Sequence, residues 1–167
     1  MAYGRPRPDP VGEGQESVWD YPRPPALVRS DRHVLIRLAD MVIAETRRAW
    51  RVLETSHPPT WYVPREDVAS GVLRRSAVTS TVCEWKGKAT YWDVVLQDGI
   101  VPAVMWSYES PTAPFADLAG AVSGYPGRLE CLVDGERVSP QPGGFYGGWI
   151  TADVVGPYKG EPGTRGW

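Results

Sequence analysis

Two runs rich in β-branched and aromatic residues, Thr90 to Gln97 and Ile100 to Tyr108, meet at Asp98-Gly99. An Asp-Gly pair supplies the positive φ that a tight hairpin needs, so this stretch predicts two antiparallel strands. Ala77 to Trp85 reads as the strand before them, completing a three-strand meander. Shorter runs of the same character flank it. Val34 to Leu38 and Met41 to Ala44 turn at Asp40, and Leu129 to Val133 turns at Asp134-Gly135 into Glu136 to Val138. Trp61 to Val63 and Gly120 to Tyr125 are further strands. Arg47 to Leu53 has room for two helical turns, but Pro58-Pro59 and the short length favour a strand over Trp50 to Glu54. The best helix candidate opens at Arg65-Glu66-Asp67-Val68 behind Pro64, with Val68, Val72 and Leu73 on one apolar edge. Phe115 to Leu118 predicts a single helical turn. The expected fold class is therefore mainly β in one compact domain.

A chain of 167 residues suffices for one such domain and is short for two. Residues 1–25 carry six prolines and predict an extended arm, mobile at its start. Val18, Trp19 and Tyr21 interrupt its polarity, as in an arm that docks on its own domain or on a neighbouring subunit. Residues 26–140 form the expected β-rich domain, and residues 141–167 a tail packed on it. In that tail, Pro142-Gly143-Gly144-Phe145-Tyr146-Gly147-Gly148-Trp149 sets four glycines around three aromatics, as backbone lying flat on a surface or close to a ligand does.

The net charge of −2 arises from 18 basic and 20 acidic residues that are well mixed. No single-sign field is there to attract nucleic acid or an anionic membrane, and no apolar run reaches membrane-spanning length. A cytoplasmic protein is the expectation. Only Cys83 and Cys131 are present, too few for a disulfide scaffold or a four-thiolate zinc site, so no metal is expected and no motif specifies a cofactor.

Candidate chemistry gathers in three short stretches. His57 stands in Glu54-Thr55-Ser56-His57-Pro58-Pro59, and the other histidine, His33, opens a strand where it is expected to be exposed. Imidazole acid–base chemistry must therefore run through His57, which a rigid structural turn would equally explain. Glu54 could orient that ring, provided the chain bends at Thr55. Cys83 beside Trp85 and Lys86 is a nucleophile candidate, although a lone strand cysteine is commonly a small buried hydrophobe. Lys86, one of three lysines, precedes Gly87 at a strand end where it could reach a carboxylate or phosphate. Tyr62, Trp85, Tyr91, Trp92, Trp106 and Tyr108 supply aromatic walls. Alternation sends Tyr91 and Trp92 to opposite faces and gives Trp106 and Tyr108 a common one. Ser56 and Ser107 lack a Gly-x-Ser-x-Gly context for hydrolysis.

The same residues carry a resemblance. Glu54-Thr-Ser-His57-Pro-Pro, Tyr62-Val-Pro64-Arg65-Glu66-Asp67-Val68, Cys83-x-Trp85-Lys86-Gly87-x-Ala89-x-Tyr91-Trp92 and Ala103-x-x-Trp106-Ser107-Tyr108 together resemble the family called domain of unknown function 427. The resemblance covers about 33–126 as the family core, and the arm and glycine-rich tail look like those of its longer bacterial members. The resemblance implies a fold similar to the β-tent of methionine sulfoxide reductase B and the thalidomide-binding domain of cereblon. Those relatives usually hold zinc on four cysteines, a pattern from which this chain departs. The family is sometimes labelled nucleotidyltransferase-like, yet the chain has neither a Gly-Ser followed by paired aspartates nor a glycine-rich phosphate loop.

Three readings follow. The first is an aromatic-lined pocket for a small polar or planar ligand, built from Glu54, His57, Tyr62, Trp85, Lys86, Tyr91, Trp92, Trp106 and Tyr108. The second is a small enzyme with His57 as general acid or base, oriented by Glu54, and Cys83 or Lys86 as nucleophile or charge stabiliser. The third is an interaction module that forms a homodimer through its arm.

Overall fold

The structure, a computed structural model, describes residues 4–167. The expected mobility at the very start of the arm concerns residues outside that range. The fold is mainly β: several small antiparallel sheets, with helical character among the described residues confined to three 3-10 segments, the longest Ala113–Leu118. No helix among the described residues is long and apolar enough to cross a membrane.

The central sheet runs Val122–Gly124, Gly99–Ser107, Thr90–Leu96, Leu73–Arg75 in spatial order. Its hairpin is the one expected, but Leu96 pairs with Gly99, so the tip is Gln97-Asp98, one residue early. The strand expected over Ala77 to Trp85 is not part of it. Leu73–Arg75 takes that edge, and the Ser76 hydroxyl then accepts the Val78 N–H in a local turn that diverts the chain. Val82–Cys83 pairs instead with Gly87–Lys88 in a small hairpin of its own. Between Trp92 and Val94 the ladder is broken, with Pro102, Ala103 and Val104 opposite Asp93 alone. The Ala103 N–H donates to the buried Asp93 carboxylate at 2.9 Å and, with Arg74, holds its pKa below the usual carboxylate range. Pro102, which has no N–H to offer the ladder, is tolerated in this bulge.

A second sheet runs Glu136–Arg137, Glu130–Val133, Val34–Leu38, Met41–Thr46, and a third runs Ala26–Ser30, Ala49–Leu53, Thr60–Tyr62. Both hairpins of the second sheet close with left-handed pairs, Ala39-Asp40 and Asp134-Gly135, the primed turn that suits twisted strands. The helix expected from Arg65 lasts one 3-10 turn, Arg65–Asp67. Val68 is drawn into extended backbone by a bridge to Ala44, and Gly71 at φ +75° redirects the chain, so pairing outweighs the local helical pattern.

The main core unites the first two sheets through Val34, Ile36, Ile43, Val94, Val104 and Met105, with Cys131 fully enclosed. Trp149 from the tail is also fully buried there, stacked on Trp61 at 6.4 Å between ring centroids. The arm ends as a short parallel pairing of Glu16–Ser17 with Val154–Val155. Its Val18, Trp19 and Tyr21 are buried with Val154 in a cluster of this same chain. Truncation of so enclosed an indole leaves a large cavity, so Trp149→Ala should cost about 3–5 kcal/mol of stability. Urea unfolding measures this, with Phe145→Ala, at an exposed position, expected to change stability by less than about 0.5 kcal/mol.

Candidate functional site

The Glu54–His57 segment is a turn in which the His57 N–H donates to the Glu54 carbonyl at 3.0 Å and Ser56 sits at φ +72°. This is the bend at Thr55 that brings two side chains three apart onto one side. The arm holds it: the Ser56 N–H donates to Val18 O at 3.0 Å, and the Thr55 hydroxyl to Tyr21 O at 2.6 Å. Glu54 Oε2 then lies 3.5 Å from His57 Nε2 and 3.3 Å from Arg23.

Opposite stands the hairpin tip Glu84-Trp85-Lys86, between the paired Cys83 and Gly87. Thr112 secures it, donating its N–H to Lys86 O at 3.1 Å and its hydroxyl to Trp85 O. The floor is aromatic. Tyr91 and Trp106 are direct cross-strand partners, and Trp106 donates its indole N–H to the Tyr62 hydroxyl at 3.1 Å while Tyr125 leans against its ring at 4.5 Å. Tyr108, two residues beyond Trp106, shares this face.

The tail closes the third side. Gly147 lies against Trp106, where a Cβ would overlap the indole, and Gly148 fits between Gln141 and Pro58 with no room for one. Only glycine permits so close an approach. It carries Tyr146 into edge contact with His57 at 4.9 Å and brings Gln141 and Lys159 to the same place. The result is a pocket of about 460 Å³.

Gln141 determines the state of His57. Its amide oxygen accepts the Gly148 N–H at 3.1 Å, and its nitrogen donates to Lys159 O at 2.8 Å, which sets the amide's orientation. The amide's other N–H therefore faces His57 Nδ1 at 3.1 Å, and Nδ1 must accept. The imidazole proton thus rests on Nε2, toward Glu54. Burial, with the Lys159, Arg23 and Lys86 cations adding to it, pushes the His57 pKa down to about 3. Burial likewise raises the pKa values of Tyr62 and Tyr108, and pushes Tyr125 up to about 12, so these phenols stay protonated.

Of the residues singled out in the sequence, Glu54, His57, Tyr62, Cys83, Trp85, Lys86, Tyr91, Trp106 and Tyr108 all line this pocket. Trp92 does not. The strand's alternation turns it away, where its N–H donates to Ser107 Oγ at 2.8 Å and Arg65 stacks on its ring. His33, expected to be exposed, is half-buried, lies 2.6 Å from Glu45 and does not line the pocket. Sequence reasoning missed Gln141, Tyr125 and Lys159. The scarcity of lysine was the available signal for Lys159, since Lys86 and Lys159 are two of only three in the chain. Cys83 is half-buried in the aromatic cluster and Cys131 is enclosed in the main core, so no thiolate pair fits a zinc ion. Among the described residues no three His, Cys, Asp or Glu side chains gather as metal ligands.

These features define a mainly β domain whose cavity has aromatic walls, a neutral histidine and two lysines. Residues 26–135 match the family model described as a domain of unknown function, DUF427, labelled NTP_transf_9, and the chain belongs to that family. No curated protein matches it.

Two outcomes are expected. Between pH 6.5 and 3 the unfolded chain protonates His57 and the folded one does not, so acid favours unfolding. The stability fully present above pH 6.5 should be lost at up to about 1.4 kcal/mol per pH unit as pH falls through that window, and His57→Gln should flatten the slope between about pH 6.5 and 4.5, above the carboxylate range. In native protein a disulfide reagent should reach Cys83 while Cys131, its thiol pKa raised by burial, reacts only in denaturant.

Proposed function

We propose that the protein binds a small polar, planar molecule in this pocket. One observation carries the reading. Four separate segments, the Glu54–His57 turn, the Glu84–Lys86 tip, the Tyr91–Trp106 strand pair and the glycine-rich tail, converge on a single cavity of about 460 Å³. That volume lies in the range of small-molecule sites, and its mixture of aromatic walls with a few fixed polar groups is their usual chemistry. An antiparallel β-tent, as the family resemblance implies, would present such a pocket between its sheets.

The enzymatic alternative has less support. A general base needs a free lone pair, and in His57 Nδ1 accepts from Gln141 while Nε2 carries the proton. Its low pKa also leaves almost no imidazolium near neutrality to give up a proton. The dimer reading likewise loses its motive, because the arm's Val18, Trp19 and Tyr21 are satisfied within their own chain.

The test is a set of planar fragments titrated into protein carrying ¹⁵N-labelled indoles. Fragments that bind should shift the Trp85 and Trp106 indole N–H resonances and leave Trp19, in the arm cluster, unchanged. If no fragment moves Trp85 or Trp106, the pocket reading is wrong.

A further inference from the structure

We infer that the ligand is a planar carboxylate, held with its charge at Lys86 and its rings against the aromatic floor. This rests on the pocket reading above and deepens it. Lys86 is a half-buried residue of the pocket lining, and among the described residues its Nζ has neither a hydrogen-bond nor an ion-pair partner, only the Tyr108 face at 5.5 Å. An ammonium that lines a pocket and has no ion-pair partner there offers an anionic ligand a charge-assisted contact.

The protein's own acids do not. Glu54 is committed to Arg23 at 3.3 Å and to the His57 Nε2–H side at 3.5 Å. Glu84, at the same hairpin tip, is exposed and makes no ion pair. The second lining lysine, Lys159, donates to Trp167 O at 3.2 Å and retains two further N–H groups. The neighbouring phenols are held protonated by burial and so remain donors. Burial is the main cause of the lowered His57 pKa, and the Lys159, Arg23 and Lys86 cations add to it, so three cations lie near this ring.

A cationic ligand on the aromatic rings is the obvious competitor, since such walls attract cations. Here two of the lining rings already carry a cation, and a ligand cation on the remaining rings would sit in a pocket that those two ammonium groups also line. Lys86 stands over Tyr108, and Lys159 over Tyr146 at 5.6 Å. A ligand cation would displace or face an ammonium at either ring, whereas a carboxylate would complete both.

Four probes decide the matter by calorimetry and by the same indole resonances: indole-3-carboxylate, indole-3-carboxamide, tryptamine and inorganic phosphate. A charge-assisted contact replacing a neutral one should make the carboxylate bind about 10-fold or more tighter than the carboxamide. Lys86→Met should remove most of that preference and leave carboxamide affinity within about 2-fold, because only the charged contact is lost. Lys88→Met, on the adjacent exposed strand and not lining the pocket, should change neither. Equal or tighter binding of the carboxamide or tryptamine overturns the inference, as does an undiminished carboxylate preference in Lys86→Met. Phosphate that displaces the carboxylate at equal concentration overturns it too, by showing that any oxyanion suffices. If neutral probes shift Trp85 and Trp106 with no carboxylate preference, the anion fails and the pocket stands; if no probe shifts them, both fail.

Discussion

Burial of Trp149 is the contact on which the pocket's third wall depends. Its indole stacks on Trp61, its ring N–H donates to Gly124 O at 3.0 Å, and its backbone N–H donates to Pro59 O at 2.8 Å. A glycine-rich segment has little apolar surface with which to hold itself in place. One enclosed aromatic anchor at its end compensates, and the glycines before it can then lie against Trp106 and Pro58. Gln141, Tyr146 and Lys159 are all placed by that docking.

The electrostatics follow from the same packing. Once Gln141 is clamped by Gly148 and Lys159, its amide dictates the His57 tautomer, and the ring becomes a neutral fixture between Glu54 and Tyr146. The arm contributes from behind, since Val18 and Tyr21 hold the turn that brings Glu54 and His57 together. Pocket and termini are thus one structural unit: the matched family region, 26–135, supplies the floor and the Glu84–Lys86 tip, while Arg23, Gln141, Tyr146 and Lys159 lie outside it.

Local rules were reliable where strands are adjacent in sequence. The turns expected at Asp40 and Asp134-Gly135 form, Asp and Gly being tolerant of positive φ, although Ala39 joins the first at φ +50° without that tolerance, and Tyr91 and Trp106 meet across a hairpin because one turn sets their register. The rules failed where a distant partner competed. Val68 left its helix for a bridge to Ala44, and Leu73–Arg75 took the sheet edge that the Ala77 to Trp85 run had been expected to fill. Trp92 carries the same chemistry as Trp106, and only the face it occupies separates a packing residue from a pocket wall.

The sequence by itself determined that the chain is mainly β, which family motifs it carries, and which rare side chains its pocket could draw upon. It did so because alternation, turn chemistry and residue scarcity are properties of neighbours along the chain. Tertiary structure alone decided that His57 is neutral with Nδ1 accepting from Gln141, that Lys86 has no ion-pair partner among the described residues, and that Gln141 and Lys159 line the pocket. Those facts depend on burial and on contacts between residues up to about a hundred positions apart, such as Gln141 with His57, and no local pattern encodes them.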